Sequence, residues 1–288
     1  MSRPPPDPSK QYFLYAPSLV AEIVFCVTFF LSVGLHTFQL IKYRSWYFLP
    51  FVIGGYFEAF GYIAKAILAS ETPYYWEFIP ELIQALLTLL APTLFAASIY
   101  MLLTRIIRLS GGQHSFFIPA TLITKCFVSG DVLSFLFQAI GGAKLVGSKS
   151  KAATDLGRML ILIGLFIQLA FFGFFILASL AFHLKMQTNP KPAKESLQKG
   201  CKNYFFVLYS TSVLILIRSI FRTLEYILGN KGPLQKKEVY GLVFDALAML
   251  VCMLIYNAFH PARVLVSETK YDEEPMEYKP KEKETTIS

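Results

Sequence analysis

Apolar and polar positions in this chain fall into long blocks, without the alternation of strands or the short repeats of amphipathic surface helices. Seven continuous apolar stretches run approximately from Ser18 to Leu40, Tyr47 to Ala69, Phe78 to Leu103, Phe116 to Ile140, Arg158 to Leu184, Asn203 to Leu228 and Val239 to Pro261. A hydrocarbon core about 30 Å thick needs roughly 20 mostly apolar residues in a helix, and each stretch is long enough. Period-two alternation, the mark of barrel strands, is missing. A backbone in lipid must then satisfy its own hydrogen bonds as helix. The expected fold is all-α: a polytopic membrane protein, a bundle of seven transmembrane helices. Residues 1–17 are expected to be an extracellular N-terminal segment, 18–263 the membrane domain and 264–288 a disordered cytosolic tail. The first residues are polar and proline-rich, so the first apolar stretch is expected to stay as helix one and not to be cleaved. No internal repeat is visible.

Composition agrees, with 55% hydrophobic residues, 27 Phe and only 16% charged residues. A soluble domain does not carry seven core helices of this length and apolarity. Charge adds the orientation, because Lys and Arg in short loops are retained on the cytosolic side. Fourteen of them, including Lys42, Arg44, Arg105, Arg108, Lys185 and the basic residues of the tail, fall on one side of the seven stretches, and nine on the other. The N-terminus is therefore expected outside and the C-terminus in the cytosol. The net charge of +8 reads as this bias plus attraction to anionic lipid, and no nucleic-acid partner is expected. Cys26, Cys126 and Cys252 lie within apolar stretches and Cys201 at the edge of one, which is no extracellular disulfide framework.

The chemistry is carried by ionisable residues at helix depth. A charge at mid-bilayer costs about 2.5–3.5 kcal/mol on insertion scales, so it faces the bundle interior and finds a partner. The acids are Glu22, Glu58, Glu81, Asp131, Glu225 and Asp245; the bases are Lys65, Lys125, Arg218 and Arg222. Residues three, four or seven apart share a helix face. Arg218, Arg222 and Glu225 form one stripe, Glu58, Tyr62 and Lys65 a second, Asp131, Ser134 and Gln138 a third, and Glu81, Gln84 and Thr88 a fourth, with Asp245 on helix seven. Together they suggest a polar, water-accessible cavity opening outward between helices two, three, four, six and seven. Some pairs, such as Arg222 with Glu225 or Arg218 with Asp131, could do no more than lock helices together.

These residues carry a resemblance. From Tyr15-Ala16-Pro17-Ser18 to His260-Pro261 the chain resembles the fungal RTA-like family, named for resistance to aminocholesterol, of seven-span lipid-translocating exporters and related transporters. The family's helix-two pattern appears as Glu58, Gly61, Tyr62 and Lys65, with Lys65 in place of the usual arginine. The helix-three pattern appears as Ala91, Pro92, Ala97, Ser98, Tyr100 and Arg105. Helix four shows Asp131, Ser134, Phe135, Gln138, Gly141 and Gly142, and Gly164 and Gln168 fit helix five. The strongest signature is Arg218, Ser219, Phe221, Arg222 and Glu225, followed by Gly229, Gly232, Glu238, Phe244, Asp245 and Met249. Ala248 stands where a proline is usual, which puts a kink in helix seven in doubt.

The resemblance implies movement of sphingoid long-chain bases or other amphiphiles across the bilayer, with resistance to toxic lipid-like compounds as a consequence. Its implied partners are membrane lipids and an amphiphilic substrate; no cofactor and no metal is expected, and no catalysis. The implied location is the plasma membrane, with an endomembrane as the alternative. Glu58, Asp131, Glu225 or Asp245 is expected to receive a cationic amino headgroup. Gly142 to Ser150 is superficially like a phosphate-binding loop, but Ser148 stands where the lysine belongs, and it reads as a connector. Two rival readings are a seven-helix sensor and a zinc-dependent intramembrane hydrolase, the latter because His36, His183 and His260 all fall near the cytosolic face.

Overall fold

A computed structural model describes residues 17–70, 78–109, 120–147, 150–188, 195–229 and 232–261. The segments expected to be extracellular and tail lie, Pro17 apart, outside the described residues. Seven helices are long and apolar enough to cross a membrane. They are α1 (Leu19–Lys42), α2 (Leu49–Ser70), α3 (Phe78–Leu109), α4 (Ala120–Gly147), α5 (Lys151–Thr188), α6 (Glu195–Leu228) and α7 (Glu238–Ala258). Each packs on its neighbour in sequence; α7 packs on α6 and α1 and closes the bundle, and α3 reaches across to α6.

Helix α1 illustrates why the bundle forms. Val20, Val24, Val27, Leu31, Leu35 and Phe38, spaced three or four apart, stay exposed, whereas Glu22, Phe29, Ser32, Val33, His36 and Gln39 are buried. The polar face turns inward and the apolar face outward, the reverse of a soluble helix and the arrangement a hydrocarbon solvent selects. The start of α1 is tied down twice: the Ser18 hydroxyl accepts from Ala21 N–H at 3.5 Å, and the Ser18 N–H donates to the Glu238 carboxylate at 2.9 and 3.0 Å.

Four helices run well past the apolar stretches that predict them, among them α3, which continues to Leu109. α5 starts at Lys151 and ends at Thr188, α6 starts at Glu195, and α4 continues to Gly147, so the connector expected from Gly142 begins as helix. These extensions carry Lys and other polar residues, and apolarity no longer marks a helix once it leaves hydrocarbon. The α-helical ladder of α7 is interrupted at Leu242–Leu247 by a π-helical segment that ends just before Ala248. The family's proline is absent, yet the irregularity sits at that place, with Asp245 on it. Of the aromatic run expected to pack or to face lipid, Phe172 and Phe175 are buried and Phe174 is exposed.

Helix α4 lies close against α5 where glycines meet backbone. A Cβ on Gly164 would stand 2.6 Å from the Ser134 carbonyl oxygen, and one on Gly141 2.6 Å from that of Gly157. Backbone cannot step aside as a side chain can, so small residues are required here. Gly164→Val is expected to cost the upper end of the roughly 1–3 kcal/mol of overpacking, read as a lower melting temperature in detergent. Gly173→Val is the control, since a Cβ there meets nothing within 4 Å; equal melting of the two variants would contradict this account.

Candidate functional site

Five helices bring an ionic cluster together near the end of the bundle where α1 begins. Arg218 Nε lies 2.5 Å from Asp245 Oδ1, and Arg222 Nη2 lies 2.6 Å from Asp245 Oδ2. Arg222 Nη1 also reaches Glu225 Oε2 at 3.0 Å. Lys65 Nζ lies 2.8 Å from Glu22 Oε1 and 5.4 Å from the centre of the Tyr62 ring, which packs on Phe25 and Phe29 of α1. The lysine that replaces the family's arginine thus acts as a single point charge on one carboxylate.

Arg218 has a further acceptor, and the sequence explains it. Pro92 lies inside α3 and has no N–H to give to the carbonyl four residues earlier. That carbonyl belongs to Thr88, and Arg218 Nη2 donates to it at 2.5 Å. The bond the proline removes within α3 is replaced from α6, which also gives a buried guanidinium a second oxygen. The Thr88 hydroxyl turns back onto the Gln84 carbonyl at 2.9 Å and is 3.5 Å from Gln84 Nε2.

Glu58 differs from the other acids of the cluster. It is 1% exposed, its Oε1 is buried with no hydrogen-bond partner, and among the described residues it forms no ion pair. Arg218, Arg222, Lys65 and Asp245 lie around it without pairing with it. Glu22, Glu58, Glu225 and Asp245 face Lys65, Arg218 and Arg222, with Glu238 against Glu22 at the rim, so acids outnumber bases, and Glu58 is the buried acid without a base.

Several expectations change. The charges that pair are largely shielded, and Arg222 and Glu225, the most open of them among the described residues, have side chains 16% and 18% exposed. Arg218 pairs with Asp245 and not with Asp131. Helix α4 is not part of the cluster, whereas α1 enters it through Glu22, an acid recognised in the sequence but not placed in the site. Lys125 is exposed rather than interior. The side chain of Glu81 lies outside the described ones.

Asp131, Gln138 and Gln168 form a second polar group at the α3, α4 and α5 contacts. Tyr100 OH donates to Asp131 Oδ2 at 2.8 Å. The Ser134 hydroxyl donates to the Gly164 carbonyl at 2.7 Å, and Gln138 Nε2 donates to Ser134 Oγ at 2.7 Å and to Gln168 Oε1 at 3.1 Å. Gln138 and Gln168 are thereby engaged with each other and join α4 to α5.

A third polar seam was not anticipated. His36 Nε2 lies 3.0 Å from the Met253 carbonyl oxygen, Gln39 Nε2 donates to the Asn257 carbonyl at 2.9 Å, and Asn257 Nδ2 donates to Ser32 Oγ at 2.8 Å. The signal for it was present, since Ser32, His36 and Gln39 recur at helical spacing on α1. The three histidines do not converge. His183 lies 3.3 Å from Tyr209 OH and stacks on Phe205, while His260 stacks on Tyr43. Among the described residues no three His, Cys, Asp or Glu side chains are gathered as metal ligands.

A family profile described as "RTA1 like protein" matches residues 51–268. The chain is similar to Protein RTA1 of Saccharomyces cerevisiae, 39% identical over 215 residues, 74% of this chain and 65% of the relative. It is also similar to Protoporphyrin uptake protein 1 of Saccharomyces cerevisiae, 39% identical over 218 residues, 73% of this chain and 67% of the relative. A more distant similarity, 24% over 277 residues, joins 85% of the chain to 72% of the sphingoid long-chain base transporter RSB1 of Saccharomyces cerevisiae strain Lalvin EC1118. The chain thus spans about two thirds of the length of the first two. No solved structure matches.

Proposed function

This chain belongs to the RTA1-like family of membrane proteins, and from that premise and its buried ionic cluster we propose that it is a transporter, not an enzyme, moving amphiphilic lipids across the bilayer. The substrate class is a single- or double-tailed lipid with a cationic amino head, sphingoid long-chain bases or similar. Resistance to toxic lipid-like compounds follows from moving them.

The observation that carries this reading is Glu58, a buried carboxylate without a base of its own in a cluster where every base already has an acid. An ammonium headgroup arriving there would complete the charge balance, while the tail stays in hydrocarbon and needs no protein cavity. Lys65, Arg218 and Arg222 are each taken by Glu22, Glu225 or Asp245, which leaves no base for Glu58 within the cluster. A structural lock needs no acid beyond those that pair with its bases. The name of the sphingoid base transporter among the relatives supports the same substrate class. In the orientation drawn from the loop charges, with the N-terminus outside, most of the cluster falls in the outer half of the membrane at the interface of α1, α2, α6 and α7, with Glu58 near the middle, and opening would release substrate outward. Tyr62 and Gln84 line its edge.

The test is transbilayer movement of a fluorescently labelled sphingoid base in liposomes holding the purified full chain. Movement well above that in empty liposomes is expected. Rates equal to empty liposomes would overturn the transport reading and favour a lipid sensor.

A further inference from the structure

We infer that Asp131 is a proton-carrying site, separate from the ionic cluster, through which movement of the amphiphile is coupled to a proton gradient. The coupling rests on the transport reading above; the proton site rests on geometry alone.

Asp131 is 1% exposed. One carboxyl oxygen accepts from Tyr100 OH at 2.8 Å, and the other is buried with no partner. The helices packed most closely on α4 are α3 and α5, and among the described residues the facing titratable group is Tyr100 from α3. From α5 come Phe172 and Phe175, whose ring centres lie 6.2 and 4.5 Å from that of Tyr100; Phe127 of α4 itself lies 5.4 Å from it. Lys125, the base nearest in sequence, is exposed. Asp131 therefore sits among rings and a phenol, whereas the acids of the cluster sit among bases. A lone carboxylate at such a place is strongly disfavoured in lipid. A proton is the ligand that cancels its charge without requiring space, and it turns the orphaned oxygen from acceptor into donor.

The step is simple: the carboxylate gains one proton from solution on one side and later yields it to the other. The Tyr100 phenol keeps its own proton and donates throughout, so Tyr100 is a positioning residue. Depth separates the two sites. Tyr100 is about 14 Å from the end of α3, and Asp131 about 16 Å from the start of α4, at 1.5 Å per residue. Those ends face the side opposite the ends of α6 and α2, where Arg222, Glu225 and Lys65 lie. Helix α3 touches both sites, through the Thr88 carbonyl under Arg218 and through Tyr100 under Asp131. Pro92 stands between them, and a helix bends most readily at such a break. A change of charge at Asp131 can thus reach the cluster by a change in the angle of α3.

Two measurements on the full chain test this. In lipid nanodiscs, infrared spectra recorded across pH are expected to show a protonated-carboxyl C=O stretch that is lost in Asp131→Asn and displaced in Tyr100→Phe, which removes a hydrogen bond from that oxygen. In liposomes, a gradient of one pH unit is expected to drive up to about a tenfold accumulation of labelled sphingoid base per coupled proton beyond that in empty liposomes. Asp131→Asn is expected to show no such excess in either direction of the gradient. A wild-type protein without a carboxyl band assignable to Asp131 overturns the proton site. Movement indifferent to the gradient, or an Asp131→Asn variant that responds as wild type does, overturns the coupling. No movement at all overturns the transport reading and the coupling with it, while the infrared result still decides the proton site.

Discussion

Asp245→Ala is expected to destabilise the bundle by about 3–5 kcal/mol, the scale for breaking a buried ion pair by removing one partner. The two carboxyl oxygens of Asp245 are divided between Arg218 and Arg222, so the substitution deprives both guanidiniums at once. The consequences for them are unequal. Arg222 keeps Glu225 at 3.0 Å, whereas Arg218 keeps only the Thr88 carbonyl, which carries no countercharge. Glu225→Ala is therefore expected to cost much less, because Arg222 still holds Asp245 and the Glu225 side chain is 18% exposed. Combining Asp245→Leu with Arg218→Met is expected to recover a large part of the loss, since no buried charge is then stranded. Melting temperature and the monodisperse fraction after purification are the readouts. If Asp245→Ala and Glu225→Ala melt together, the two acids are equivalent and this assignment fails.

Glu58→Gln is expected to do the opposite, leaving the fold intact and removing function. No base depends on Glu58 for its own pairing, so the variant strands nothing, and glutamine keeps the shape. An ammonium headgroup, by contrast, loses its counter-ion in a site shielded from water. Losing one member of a buried, hydrogen-bonded charge pair costs about 2–5 kcal/mol, or roughly 30-fold and upward in affinity. Transbilayer movement of labelled sphingoid base should fall by at least that factor while the melting temperature changes little. Retained movement in Glu58→Gln would remove Glu58 from the substrate path. Collapse of the fold would instead make it a structural member of the cluster. The contrast between Glu58 and Asp245 matters because both are buried acids on helices facing the same space, and only their partners distinguish them.

The division between what could be read and what could not follows the range of the interactions involved. Seven helices were legible because each must bury its own backbone hydrogen bonds and span the same thickness of hydrocarbon, which is a local demand written in runs of about 20 apolar residues. The ionisable residues at helix depth were legible for the same reason: in an apolar run, Glu58, Asp131, Arg218, Arg222 and Asp245 stand out singly. The helix extensions at Lys151, Glu195 and Gly147 were not, because outside hydrocarbon nothing in the composition separates helix from connector.

Partnership was the part decided by tertiary structure alone. Helical spacing shows that Arg218, Arg222 and Glu225 share a face but says nothing of which helix lies opposite. Arg218 thus meets Asp245 and the Thr88 carbonyl rather than Asp131, Glu22 joins the cluster from α1, and Asp131 is left with Tyr100 among phenylalanines. Charge in lipid must be cancelled, and the sequence by itself determined that much, together with the number of spans and the residues that carry charge. Which acid is paired and which is left over depends on contacts between segments up to 225 residues apart, such as Asn257 with Ser32. Packing sets those contacts: small residues let α4 and α5 close, a proline frees one carbonyl on α3, and α7 closes the bundle against α1. The ring of neighbours, and with it the isolation of Glu58 and Asp131, exists only once the helices are assembled.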